Sequence, residues 1–199
     1  MPFSGCLLHN HLLMSDKLKW DKRYDTNEMA GVGEPSSFLY TNAESLPAGG
    51  LALDIAAGQG RNSVFLAKRG LNVIALDIST RALEKCISLA RASNVRIEVA
   101  AVDLTSFIIP PKSFDVIVNF NYLQRDLAAG IIEGLKPGGL LVFETMTTDY
   151  LRYRPDFNPD YLLGRGELVQ MFRGLRLIKY REAILQTRAV ASLLARKPE

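Results

Sequence analysis

From residue 51 onward the chain alternates between short apolar runs and amphipathic stretches. Leu51-Ala52-Leu53 predicts a first strand, and the spacing over 61–69 predicts a helix stopped by Gly70. Residues 72–76 predict a second strand, and Ser79, a residue suited to N-capping, predicts a helix running to about residue 92. A third strand over 95–102 interleaves polar Arg96 and Glu98, and after Pro110-Pro111 the run 114–118 is almost continuously apolar, as in a strand buried on both faces. Residues 126–135 predict a helix ending at Lys136-Pro137-Gly138-Gly139, and 140–143 predict a fifth strand. Strands alternating with helices of this length imply an α/β fold with a mostly parallel sheet and right-handed crossovers.

The flanks break that rhythm. Over 18–30, Trp20 and Tyr24 share one face at i, i+4, which predicts a helix with an aromatic edge, and Pro35-Ser36-Ser37 predicts another helix start. Beyond the fifth strand, 149–163 is rich in Tyr, Arg, Pro and Asn and predicts an irregular excursion. A short helix over 166–172 follows, and then two strands, 175–184 and 186–195, meet as an antiparallel hairpin at the sheet edge. The expected organisation is one domain over 1–199. An N-terminal arm, flexible or docking, spans 1–17, with Met14 as an alternative start. N-terminal helices occupy 18–46, the alternating core 51–145, and the excursion and final strands 146–199.

Composition narrows the class. The chain has 199 residues, 48% of them hydrophobic and 23% charged, which fits one globular core. A net charge of +3, spread evenly, provides no basic stripe for nucleic acid and no polybasic membrane patch. Cys6 and Cys86 are the only cysteines and His9 and His11 the only histidines, so neither a disulfide framework nor a metal site is expected. The apolar runs fall short of the ~18 residues that span a bilayer. A cytoplasmic protein, monomer or homodimer, is expected, with no nucleic-acid or membrane partner.

The chemistry concentrates in one segment. A strand ends at Asp54, and the tight turn Ala56-Ala57-Gly58-Gln59-Gly60 feeds a helix. Small residues let backbone approach a ligand closely, and the helix start offers unpaired N–H groups. Asp77 stands at the end of the second strand, placed to accept hydrogen bonds from both ribose hydroxyls. Dinucleotide turns usually read G-x-G-x-x-G, whereas here the third position is Ser63. An acidic Asp54 would repel a pyrophosphate but suits the cationic amino group of a methionine moiety. S-adenosyl-L-methionine is therefore the expected cofactor rather than NAD.

The run from Asp54 to Ser63, with Asp77, Asp103-Leu104 and Lys136-Pro137-Gly138-Gly139, resembles the ordered motifs of class I S-adenosylmethionine-dependent methyltransferases. Within them, G-Q-G-R-N-S and Gly166-Glu167-Leu168 resemble the tellurite-resistance (TehB-like) branch. The resemblance implies a Rossmann-like, doubly wound, mostly parallel seven-stranded sheet with an antiparallel edge hairpin. It also implies roles. Asp54 would orient the cofactor amino group, backbone at Gly58 and Gly60 would lie beside the methionine part with Ala56 and Asn62 in the same loop, and Asp77 would bind the ribose. Ile78 and Leu104 would flank the adenine, Asp103 would accept from its amino group, and Asn119 would face the sulfonium end. Two departures stand out: Ala56 replaces a usual glycine, which a negative φ would tolerate, and 182–190 lacks the His-Arg pair of tellurite-resistance proteins.

The expected activity is methyl transfer to a small-molecule acceptor, a thiol or a metalloid oxyanion. Tyr24, Asn119, Tyr122 and Arg125 are the catalytic candidates, and Trp20, Arg23 and Tyr24 form a candidate lid. Arg125, Arg152 and Arg154, with Tyr150 and Tyr153, would bias the acceptor side toward anions. With no histidine in the catalytic half, the acceptor atom is expected to be soft or readily deprotonated. The alternatives are an NAD-linked oxidoreductase and a non-catalytic S-adenosylmethionine-binding module.

Overall fold

The computed structural model describes residues 16–26 and 33–199. The expected arm, the alternative start at Met14, both histidines and Cys6 lie outside the described residues. Helix α1 covers 16–25, and α2 (Ser37–Thr41) follows. The alternation predicted from residue 51 is then observed: β1 (Leu51–Ile55), α3 (Arg61–Lys68), β2 (Asn72–Asp77), α4 (Thr80–Ala92), β3 (Glu98–Ala101), β4 (Phe114–Phe120), α5 (Leu127–Gly134) and β5 (Leu135–Met146). After two short 3-10 turns, α6 (Glu167–Met171), β6 (Arg176–Leu185) and β7 (Arg188–Arg196) complete the chain.

The seven strands form one sheet in the order β3-β2-β1-β4-β5-β7-β6. The first five strands pair in parallel, and β7 inserts antiparallel between β5 and β6. This is the predicted doubly wound sheet with its edge hairpin. Leu66 of α3 with Phe38 and Leu39 of α2 covers one sheet face, while Ile131 of α5, Leu168 of α6 and Phe172 cover the other. Because both faces are covered, the central strands read as near-continuous apolar runs such as Val116-Ile117-Val118, all fully buried.

The fifth strand differs from its prediction in length. Lys136-Pro137-Gly138-Gly139 does not turn the chain away after α5. It lies within β5, which pairs Leu135 with Phe114 and Leu140 with Val116 across a register shift. The bulge absorbs the proline and the glycines, a role such residues take inside strands. Asp115 clasps this end of the sheet by accepting from the Leu51 backbone N–H (2.8 Å) and Lys136 Nζ (2.7 Å).

Chain order along the sheet reverses between β1 and β4. The path runs outward through β2 and β3 and then returns to the other side of β1, and ligands of open α/β sheets bind at such a switch, beyond the carboxyl ends of the strands. The turn leaving β1 sits there, and it is unusually bent. Gly58 (φ 57°) and Gly60 (φ 79°) are left-handed, and so is Ala56, at φ 53°. Ala56 therefore does not have the negative φ under which its methyl would sit without strain. The left-handed region costs an L-residue about 1–2 kcal/mol, partly offset by the larger unfolded-state entropy of glycine. Ala56→Gly is expected to raise the unfolding free energy by about 0.5–1 kcal/mol in urea denaturation; a loss of stability would contradict this account of the turn.

Candidate functional site

Asp77 organises the switch point. At the end of β2 its Oδ2 accepts from the Gly58 N–H (2.8 Å) and its Oδ1 from the Ser79 N–H (2.9 Å). One carboxylate thus ties the turn after β1 to the turn after β2. An ionised carboxylate has about four acceptor positions, so the backbone N–H groups around Asp77 leave part of that capacity open. Burial pushes the Asp77 carboxyl upward, opposed by the backbone N–H groups of Ser79, Gly58 and Ile78.

Gly58 is required on two counts. Its φ is left-handed, and a Cβ there would lie 2.7 Å from the Tyr24 hydroxyl. A Cβ at Gly60 would lie 2.2 Å from Cys86 Sγ, so that glycine lets α4 pack against the turn. The same burial pushes the Cys86 thiol up to about 12, which leaves it a packing group.

Asp54 lies beneath the turn, 1% exposed, and accepts a 2.5 Å hydrogen bond from Ser63 Oγ. Ser63 occupies the position of a third glycine and is fully buried, so its hydroxyl serves the carboxylate. Burial is the main force raising the Asp54 carboxyl to about 7; Ser63 opposes it and the neighbouring Asp77 charge adds to it.

Helix α1 packs onto this core through Asp21. Its carboxylate accepts from Ser79 Oγ (2.6 Å) and from the Arg81 N–H (3.2 Å) at the start of α4, and it pairs with Lys17 at 2.5 Å. Ser79 caps α4 by accepting from the Ala82 N–H at 3.1 Å. Lys85 donates to the Tyr24 carbonyl. Against the upward push of burial, the Lys17 and Ser79 hydrogen bonds hold the Asp21 carboxyl below its ordinary value. With its polar face so anchored, α1 directs Asp16, Trp20 and Tyr24, spaced i, i+4, i+8, into a cavity of about 350 Å³.

Asp77, Ile78, Asp103, Leu104 and Thr105 line that cavity from the ends of β2 and β3, the 56–59 turn with Arg61 and Asn62 follows β1, and Phe120 and Asn121 line it from the end of β4 on the other side of β1. Tyr122 also lines it, its hydroxyl donating to Gln124 Oε1 (2.7 Å), and Gln124 Nε2 donates to the Leu104 carbonyl (3.3 Å). Asp103 accepts from both the N–H (2.9 Å) and the hydroxyl (2.6 Å) of Thr105.

The remaining candidates lie elsewhere. Asp54 and Gly60 are under the turn rather than on the cavity wall, and Asn119 is buried with its side-chain N–H donating to the Tyr122 carbonyl at 2.8 Å. Asn62 lines the cavity and also accepts from the Ser36 N–H (2.9 Å), tethering the chain before α2. Arg125 pairs with Glu167 (2.5 Å) and donates to the carbonyls of Asp160 and Leu162, so it fastens the 148–163 excursion to α6. Arg152 and Arg154 pair with Asp149 and Asp156. None of these three arginines lines the cavity.

Sequence reasoning passed over Arg61 and Asn121, both on the wall, and Arg188, which donates to Asn121 Oδ1. Arg61 had a usable signal, being the first residue of the helix after the glycine turn. Arg188 had none, since only the antiparallel insertion of β7 brings it near the carboxyl end of β4. Among the described residues no His/Cys/Asp/Glu cluster suited to a metal is present, and no helix is long and apolar enough to cross a membrane.

Comparison with known proteins agrees with this geometry. A family model described as a methyltransferase domain matches residues 52–139. A demethylmenaquinone methyltransferase of Renibacterium salmoninarum is 31% identical over 149 residues, covering 65% of this chain and 61% of that protein. A TehB protein of Haemophilus influenzae is 27% identical over 138 residues, covering 65% of this chain and 47% of that one. The crystal structure of TehB from Haemophilus influenzae superposes with a TM-score of 0.70 at 20% identity, covering 89% of this chain and 67% of that one. The chain spans roughly half to three-fifths of the length of these curated relatives.

The buried Asp54 generates a pH prediction. A folded-state value near 7, against an ordinary 3.8, means the folded protein holds a proton that the unfolded chain has lost. The stability from that proton is present at low pH and lost as pH rises through about 7. Urea unfolding of wild type and Asp54→Asn from pH 5 to 8 is expected to show the variant gaining on wild type as pH rises. Parallel profiles would contradict a protonated Asp54.

Proposed function

We propose that this chain is a class I S-adenosylmethionine-dependent methyltransferase resembling the TehB branch, and that it transfers the methyl group of S-adenosylmethionine to a small-molecule acceptor. The observation that carries this reading is the Asp77 carboxylate, preset by the Gly58 and Ser79 N–H groups with acceptor capacity left over. A pair of vicinal ribose hydroxyls suits a carboxylate held this way at a strand end. The Gly58 cradle, which a side chain would fill, supports a ligand lying against the turn backbone.

When bound, S-adenosylmethionine supplies a methyl on a sulfonium, already a good leaving group, so positioning can provide much of the acceleration. The chain's own residues then have binding tasks. Ile78 and Leu104 offer apolar faces to an adenine, and Asp103 keeps acceptor capacity for its amino group beyond the two Thr105 bonds. Trp20 and Tyr24 of α1 line the cavity and would lie over the bound cofactor. Tyr24 and Tyr122 are both raised above the ordinary tyrosine value by burial first and by nearby carboxylates second, so each is a neutral hydroxyl at pH 7. Neither is a ready base, which favours an acceptor atom that needs no deprotonation, such as a soft sulfur or selenium. The Asp54 and Ser63 pair disfavours the dinucleotide alternative: the third-glycine position holds a hydroxyl committed to a buried carboxylate.

Isothermal calorimetry tests the reading. Wild type is expected to bind S-adenosylmethionine and S-adenosylhomocysteine and not NAD. Hydrogen bonds to a charged acceptor contribute about 1.5–3 kcal/mol each, so Asp77→Ala is expected to weaken S-adenosylhomocysteine binding by at least about tenfold. Unchanged affinity in a folded variant would remove Asp77 from the site.

A further inference from the structure

Arg61 is the first residue of α3, half-buried on the cavity wall. A guanidinium carries five donors and keeps its charge at any working pH. Yet among the described residues Arg61 has neither a hydrogen bond nor an ion pair, whereas four arginines of the later elements are committed. Arg125 holds Glu167, Arg152 holds Asp149, Arg154 holds Asp156, and Arg181 holds Glu144.

The carboxylates that Arg61 senses electrostatically are already occupied. Asp54 is bound by Ser63, and Glu144 accepts from Ser192 (2.6 Å), Ser36 (3.3 Å) and Arg181 (3.3 Å). The other charge in its surroundings is a second cation. Arg188, at the start of β7, is close enough to oppose the Arg61 charge, and its side chain is steered by Asn121, which lines the same cavity. Burial and this like charge both act against the Arg61 cation. An unpaired guanidinium on the cavity wall, with a second arginine held by Asn121 of the same wall and the nearby carboxylates already paired, is arranged for an anion that arrives from outside.

Position in the sheet identifies which anion. Asp77 and Asp103 follow β2 and β3 and mark the ribose and adenine side under the cofactor reading, whereas Arg61 follows β1, and Asn121 and Arg188 belong to β4 and β7 on the other side of β1. We propose that Arg61, backed by Arg188, is the receptor for an anionic group on the methyl acceptor, a carboxylate or a small oxyanion. The proposal rests on the S-adenosylmethionine reading above. It also relocates the anion preference expected of Arg125, Arg152 and Arg154 to a pair of arginines belonging to other elements.

The test uses binding rather than turnover. The full chain saturated with S-adenosylhomocysteine is titrated with benzoate, acetate and selenite, following the arginine side-chain Nε–Hε NMR signals. At least one anion is expected to shift the Arg61 signal saturably. Arg61→Met is expected to weaken that anion by about tenfold or more while S-adenosylhomocysteine affinity stays within about threefold of wild type. Arg61→Lys, which keeps the charge and loses the fork, is expected to fall between the two.

Three outcomes would overturn the proposal. If no anion saturates in wild type, there is no receptor. If Arg61→Met loses S-adenosylhomocysteine about tenfold but keeps 5′-methylthioadenosine, which lacks the amino-acid part, Arg61 serves the cofactor's own carboxylate. If wild type binds neither S-adenosyl ligand nor 5′-methylthioadenosine, the cofactor reading fails and the proposal with it, a result distinct from the first two.

Discussion

One buried carboxylate holds the site together. Asp77 joins Gly58 in the turn after β1 to Ser79 in the turn after β2, and Ser79 in turn caps α4 and donates to Asp21 of α1. A relay of three hydrogen bonds therefore runs from the glycine turn to the helix whose Trp20 and Tyr24 line the cavity. The relay has a reason to exist only because the turn is bent beyond what most residues tolerate: residues 56, 58 and 60 are all left-handed. Such a backbone persists when its surroundings over-determine it, as Asp77 from one side and Cys86 and Tyr24 from the others do here.

That arrangement also divides the acidic residues into two classes. Asp77 is preset with acceptor capacity to spare, whereas Asp54 is sealed beneath the turn, raised by burial, and satisfied by Ser63. Both sit at strand ends, and only the topology distinguishes them. Asp77 ends the strand beside the switch point with its carboxylate toward the cavity, while Asp54 is covered by the α3 helix that its own turn launches. The contrast explains how two carboxylates close enough to influence each other can differ in task.

Much of this was legible in the sequence, for local reasons. Helix and strand periodicity located the alternating core, and the pairing of a glycine turn with Asp77 located residues that share one cavity, because strand-end and helix-start chemistry lies within a few residues. Misreadings arose where distance along the chain hides contact. Lys136-Pro137-Gly138-Gly139 reads as a helix stop, but the pairing of its neighbours Leu135 and Leu140 with Phe114 and Val116 draws it into β5. Arg125 reads as an acceptor ligand until Glu167, 42 residues later, closes on it. Asp21 carries no local signal at all for its bond to Ser79, 58 positions away, and the same is true of Arg188 and Asn121. Ala56 reads as an ordinary small residue, since φ cannot be seen in a side-chain pattern.

The central claim is that Asp77 is preset to receive a ribose while α1 covers the occupied cavity, and a crystal structure of the chain with S-adenosylhomocysteine tests it most directly. The account predicts both ribose hydroxyls on the Asp77 carboxylate with its bonds to Gly58 and Ser79 kept, the adenine between Ile78 and Leu104, and Trp20 and Tyr24 over the ligand. A ligand bound away from Asp77, or one that displaces the Gly58 or Ser79 N–H from that carboxylate, would contradict it.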